Sequence, residues 1–117
     1  MKKIISLFII MFLLTACGEQ KYQVIDTNKA IELINSGVVL IDVRTSEEYN
    51  REHIPSAVNI PLDTIDTIGY PKDTKIIVYC QSGMRSREAV NKLVAMGYTD
   101  LYDLDGGLLN WGGSLEE

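Results

Sequence analysis

Apolar runs and helical patterns alternate along most of this chain. "VVLIDV", Val38 to Val43, and "KIIVYC", Lys75 to Cys80, are apolar almost throughout, the pattern of strands covered on both faces. "TNKAIELINSG" repeats apolar residues at helical spacing. It places Ala30, Ile31 and Ile34 on one face, with Asp26 or Thr27 as cap and Gly37 as stop. "SREAVNKLVAMG" does the same with Ala89, Val90, Leu93 and Val94, ending at Gly97. "YQVID", "AVNIP" and "DLYDL" read as short strands, and Pro61 limits the second. Thr45 and Glu48 have capping-box spacing and open a further helix. "LDTIDTIGY" suits a weak helical turn and "GGLLNW" a last short helix. Strands alternating with helices predict an α/β domain, with a mostly parallel sheet of about five strands and helices on both faces. In such sheets ligands bind beyond the carboxyl ends of the strands. Two stretches fall there: Asp42 to Arg44, and the loop that starts at Cys80.

The N-terminus breaks the pattern. "MKK" is basic, and Ile4 to Leu14 is an apolar run of eleven residues interrupted only by Ser6. That is short for a membrane span and right for the core of a signal peptide. "LTAC", Leu14 to Cys17, then resembles the lipobox of bacterial lipoproteins. The resemblance implies a signal peptide over residues 1–16, a lipidated Cys17 heading a tether over 17–23, and a domain over 24–117. It also implies lipid anchoring on the outer side of a bacterial cell membrane, extracytoplasmic or facing the periplasm. Several acyl chains on one residue give stable anchoring where one chain would not.

Composition then narrows the partners. The chain has 117 residues and a formal charge of −5. Loss of the leader removes Lys2 and Lys3 and no acid, leaving nine basic against sixteen acidic residues, or −7. A domain this acidic does not attract nucleic acid or anionic lipid by bulk charge, so the expected membrane partner is reached through the lipid. The two cysteines are Cys17 and Cys80. With Cys17 lipidated, Cys80 is the single free thiol, and an exported protein with one unpaired cysteine needs a reason for it.

The stretch "CQSGMRS", Cys80 to Ser86, supplies one. A helix starting near Ser86 directs unpaired N–H groups and a positive dipole end at the loop. Gly83 permits positive φ, so that the amides of Gln81, Ser82, Met84 and Ser86 can turn inward as an anion-binding nest. Arg85 and Arg87 add positive charge. Together these favour a reactive thiolate over the inert buried cysteine that is the commoner fate of a free thiol.

These motifs resemble the rhodanese family, single-domain type. "CQSGMRS" is similar to its active-site loop. "IDVRTSEEYNREHIPSAVNIP", Ile41 to Pro61, and "LDGGLLNW", Leu104 to Trp111, resemble two supporting stretches in the same order. Ser56 stands where the family usually has glycine, which strains the turn if it needs positive φ. The resemblance implies a rhodanese-like fold and a thiosulfate sulfurtransferase. Cys80 would attack the outer sulfur of a small anionic donor such as thiosulfate, become a persulfide, and pass sulfur to a thiol or cyanide acceptor. Gln81, Ser82, Gly83, Met84, Arg85 and Ser86 would form the substrate loop, with Arg85 on the donor's oxygens. Asp42 and Arg44 would order neighbouring loops. A loop longer by one residue accompanies phosphate-ester hydrolysis in the same superfamily; the tighter ring suits a single sulfur.

His53, the only histidine, is read as ordering a loop, and Trp111 and Tyr102 as packing. No spacing suits zinc and no dinucleotide fingerprint follows a strand, so neither metal nor cofactor is expected. A second reading remains, a binding or persulfide-carrier module at the membrane that does not turn over. A thiol-exchange role ranks below both, since no second free cysteine is present to resolve an intermediate.

Overall fold

A computed structural model describes residues 21–117. The leader and Cys17 lie outside the described residues. Five strands run β1 Gln23–Ile25, β2 Val39–Asp42, β3 Val58–Asn59, β4 Lys75–Tyr79 and β5 Asp100–Leu104. They form one sheet in the order β1-β5-β4-β2-β3. Every pairing is parallel, with Leu40 beside Ile77, Val78 beside Asp103, and Ile25 beside Leu104. The helices are α1 Thr27–Asn35, α2 Ser46–Arg51 and α3 Met84–Ala95, with short 3-10 helices at Leu62–Thr67 and Gly107–Asn110.

The central strands are apolar because both faces are covered. One core holds Ala30, Leu33, Leu40, Ile54, Ile77 and Tyr79, under α1 and the chain after α2. The other holds Ile41, Ile76, Val78 and Cys80 with Ala89, Val90 and Leu93 of α3 and Ile65 of the first 3-10 helix. Successive residues of β4 point to opposite cores, as the pleat requires.

Local signals set the helix ends. Asp26 caps α1, its carboxylate accepting the Lys29 N–H at 2.9 Å, and Gly37 follows at φ +92°. The buried face of α1 is Ala30 and Leu33, with Ile34 partly covered. Ile31, expected inside, is 37 % exposed. It sits about 100° around the helix from Ala30, so a helix seated on Ala30 and Leu33 turns it to the rim. The capping box is present in full: Thr45 Oγ1 accepts the Glu48 N–H, and Glu48 accepts the Thr45 N–H. Ser56 does take positive φ, +73°, in a turn closed by an Ala57 N–H to Ile54 carbonyl hydrogen bond of 3.1 Å.

Candidate active site

The fold brings three chain segments to the carboxyl edge of the sheet. β2 delivers Asp42 and Arg44, β4 delivers Cys80, and the turn after β5 delivers Gly106 and Gly107. The Cys80 loop is fixed from below by that turn. Leu108 N–H donates to the Cys80 carbonyl at 2.9 Å, and Leu109 N–H to that of Gln81 at 3.1 Å. Gly107, at φ +61°, passes so close that a Cβ there would overlap the Cys80 carbonyl oxygen and lie 2.8 Å from the Gln81 carbonyl. A side chain at this position and the present loop geometry are incompatible.

Gly83 takes φ +105° at the head of α3, where no side chain caps the helix. Its N–H instead donates to Cys80 Sγ at 3.1 Å. The sulfur thus occupies the place of a capping acceptor, and the first-turn amides of α3 have no intrahelical partner. Of the expected nest, the amide that reaches Sγ is that of Gly83. The other loop residues are used differently. Ser82 and Met84 face solvent, Met84 at 81 % exposure. The side chain of Gln81 accepts from Arg44 Nη1 at 3.2 Å. Ser86 is fully buried, its Oγ 2.6 Å from Asp103 Oδ1 and 3.2 Å from the Gly83 carbonyl. Cys80 itself is only 1 % exposed, so a donor meets the sulfur only as loop atoms yield.

Asp42 and Arg44 form a buried pair. Arg44 Nη2 lies 2.7 Å from Asp42 Oδ2 and donates also to the Glu52 carbonyl at 2.7 Å. Burial works to lower the Arg44 pKa, but the hydrogen bond and charge of Asp42 outweigh it, and the net direction is up. The pair links β2 to the Glu52 carbonyl at the end of α2 and to the Gln81 side chain.

Arg85 is engaged by a carboxylate from α2. It donates through Nη1 and Nη2 to both carboxylate oxygens of Glu48, at 2.7 and 3.0 Å. That hydrogen bond is the main reason its pKa rises. Reciprocally, the Arg85 hydrogen bond holds Glu48 at about 2, with the Thr45 contacts assisting against burial. Glu48 was legible only as a capping residue; the ion pair spans 37 positions, and no local pattern reveals it. Asp103 was missed entirely. Burial pushes its carboxyl pKa up, against the Ser86 hydrogen bond. The Ser86 hydroxyl donates to Asp103 Oδ1 at 2.6 Å, tying the first turn of α3 to β5. His53 has its ring nitrogens 2.9 Å from the Tyr49 carbonyl and 3.3 Å from Glu116, and its ring stacks on Tyr49 at 3.8 Å. Those contacts are structural.

Residues 20–114 match the model of the rhodanese-like domain. The chain is 36 % identical over 104 residues to thiosulfate sulfurtransferase 18 of Arabidopsis thaliana, covering 74 % of this chain and 76 % of that protein. It is 33 % identical over 93 residues to thiosulfate sulfurtransferase GlpE of Pseudomonas savastanoi, covering 78 % and 88 %. Against the adenylyltransferase and sulfurtransferase uba4 of Ogataea parapolymorpha it is 35 % identical over 81 % of this chain, yet spans only 26 % of that longer protein. The crystal structure of a rhodanese-like domain protein from Staphylococcus aureus superposes with a TM-score of 0.71 at 34 % identity, covering 80 % of this chain and 96 % of that one.

Proposed function

The chain belongs to the rhodanese-like family, and from that premise we propose that it is a sulfurtransferase whose sulfur carrier is Cys80. The observation that carries the reading is the Gly83 N–H aimed at Sγ at 3.1 Å, at the uncapped head of α3. Backbone donors so placed stabilise an anionic sulfur without being reoriented when charge arrives.

The reaction runs in two displacements. Cys80 thiolate attacks the outer sulfur of thiosulfate or another sulfane donor. A new S–S bond forms, the donor's S–S bond breaks, and its electron pair leaves with sulfite. The remaining Cys80 persulfide carries the negative charge on its outer sulfur, within reach of the α3 amides. A thiol or cyanide acceptor then attacks that outer sulfur, and Cys80 leaves as thiolate. The burial of Cys80 keeps water from the persulfide between the steps. The lipobox-like "LTAC" supports the further proposal that Cys17 carries lipid and that transfer takes place at the outer face of a bacterial cell membrane.

A second reading, a persulfide carrier or anion-binding module without turnover, draws on the 1 % exposure of Cys80. Steady-state assay separates the two. The first requires continued sulfite release and thiocyanate formation from thiosulfate and cyanide, abolished in Cys80→Ser. Sulfite release that stops after one equivalent supports the carrier, and a Cys80 that gains no sulfur from any sulfane donor refutes sulfur transfer and the carrier alike.

A further inference from the structure

β5 carries an acid into the core that the two displacements do not use. Asp103 is 2 % exposed and faces α3, where Ser86 Oγ donates to its Oδ1 at 2.6 Å. The same hydroxyl lies 3.2 Å from the Gly83 carbonyl. It has one hydrogen to give, so the acid and the carbonyl compete for it. The Gly83 carbonyl belongs to the peptide unit whose N–H is that of Met84, the first residue of α3. The N–H of Gly83 itself donates to Cys80 Sγ. Ser86 thus stands between a buried acid and the residue that holds the sulfur. Across the sheet Asp103 is in register with Val78 of β4. Val78 and Cys80 both join the core under α3, so Cys80 is next but one on the same face, about 8 Å away between backbones. Burial pushes the Asp103 carboxyl pKa up; the Ser86 hydrogen bond and the charge of Arg87 on α3 work against this, and Asp105 beyond β5 adds to it. On the β1 side its neighbour is the apolar Val24.

Resting on the reading of Cys80 as the sulfur carrier, we propose that Asp103 is a positioning residue whose ionisation restrains Cys80. As the neutral acid it leaves the Ser86 hydroxyl to the Gly83 carbonyl, which polarises the Met84 N–H towards an anion in the loop. As the carboxylate it captures the hydroxyl in a charge-assisted hydrogen bond. It also sets a second negative charge on the buried face that Cys80 shares, with little water to screen it. Both changes act in one direction: ionised Asp103 slows attack by Cys80, and the neutral acid releases it. Asp103 acts through Ser86 and through its charge, so it is not a catalytic residue.

The test is the rate of Cys80 alkylation by iodoacetamide in the full chain from about pH 5 to 9, with peptide mapping to separate Cys80 from Cys17. Alkylation needs a nucleophilic sulfur and no sulfur transfer, so the readout is independent of the carrier role. Asp103→Asn carries no charge, and a circular dichroism melt checks its fold. Asp103→Ser, also uncharged, repeats the comparison, so that the result does not hang on one variant. The ratio of variant to wild-type rate constants is close to one in acid and rises to about tenfold as the wild-type acid ionises. Single-turnover loading from thiosulfate follows the same ratio. Ser86→Ala removes the donor that favours the carboxylate. The rise, taken as Ser86→Ala/Asp103→Asn over Ser86→Ala, then moves to higher pH. A ratio that does not change with pH marks a merely structural acid and overturns the inference, as does a rise that Ser86→Ala leaves in place. A ratio that rises in a chain whose Cys80 takes up no sulfur refutes the carrier reading and leaves the control by Asp103 standing.

Discussion

Ser56 is the one non-glycine residue with positive φ among the described residues, at +73°. Its turn runs Ile54-Pro55-Ser56-Ala57, closed by the 3.1 Å hydrogen bond from Ala57 to Ile54. This is a type II arrangement, in which the third residue calls for glycine. An L-residue pays about 1–2 kcal/mol for the left-handed region, while glycine loses about 0.5–1 kcal/mol more chain entropy on folding than a residue with a side chain. Ser56 is exposed, so its loss leaves no buried polar group unpaired. Ser56→Gly therefore stabilises the fold by about 0.5–1 kcal/mol, and for a domain of this size the melting temperature rises by about 2–8 °C. Thermal melts followed by circular dichroism at fixed pH measure the change. Ser56→Ala serves as control, because alanine keeps the φ penalty and should gain nothing. A Ser56→Gly protein that melts no higher than wild type, or an alanine variant that matches it, refutes the reasoning.

Further outcomes follow from the site. Glu48 has its folded pKa depressed to about 2 by Arg85, so its contribution to stability is fully present above the unfolded value near 4.5 and is lost as pH falls towards 2. The pair is partly exposed, which limits the effect to about 1 kcal/mol. Urea titrations of wild type and Glu48→Gln should converge as pH drops through that window. Asp103 has the opposite sign: burial raises its carboxyl pKa, the unfolded chain ionises first, and stability declines as pH rises from 3.8 through the folded value. Asp103→Asn, which keeps a side-chain oxygen to accept from Ser86 and does not ionise, should be more stable than wild type at pH 8 and lose that advantage in acid, read from urea midpoints. Gly107→Ala forces a Cβ into the Cys80 and Gln81 carbonyls. It should cost about 2–4 kcal/mol and lower the rate of sulfur uptake at Cys80 in the folded fraction, measured by single-turnover loading.

The alternation of buried strands with amphipathic helices was plain in the sequence, because a strand covered on both faces has almost no freedom in composition. "VVLIDV" and "KIIVYC" became the neighbouring strands β2 and β4 at the centre of the sheet. The loop at Cys80 was legible for the same reason: Gly83 and the uncapped start of α3 are local features. The partners of its side chains were not. Arg85 reads as a free cation until α2 is docked against it, and Glu48 reads as a cap until Arg85 arrives. Asp103 sits in "DLYDL", where alternation gives no sign that the acid is 2 % exposed and joined to Ser86 across 17 positions. Periodicity reports which face of an element is covered; it does not report which distant side chain completes a polar cluster. The Ile31 rim position shows a milder form of the limit, since a helix with four candidate apolar residues seats on the pair that packs best.

The most direct measurement is the intact mass of the protein after brief exposure to a sulfane donor, with peptide mapping to locate the change. The account predicts that Cys80 gains a single sulfur atom, that reductant removes it, and that Cys80→Ser gains none. A wild-type chain whose mass stays unchanged with thiosulfate and with a hydropersulfide alike, while its fold is intact, would contradict the claim that this sulfur is a carrier.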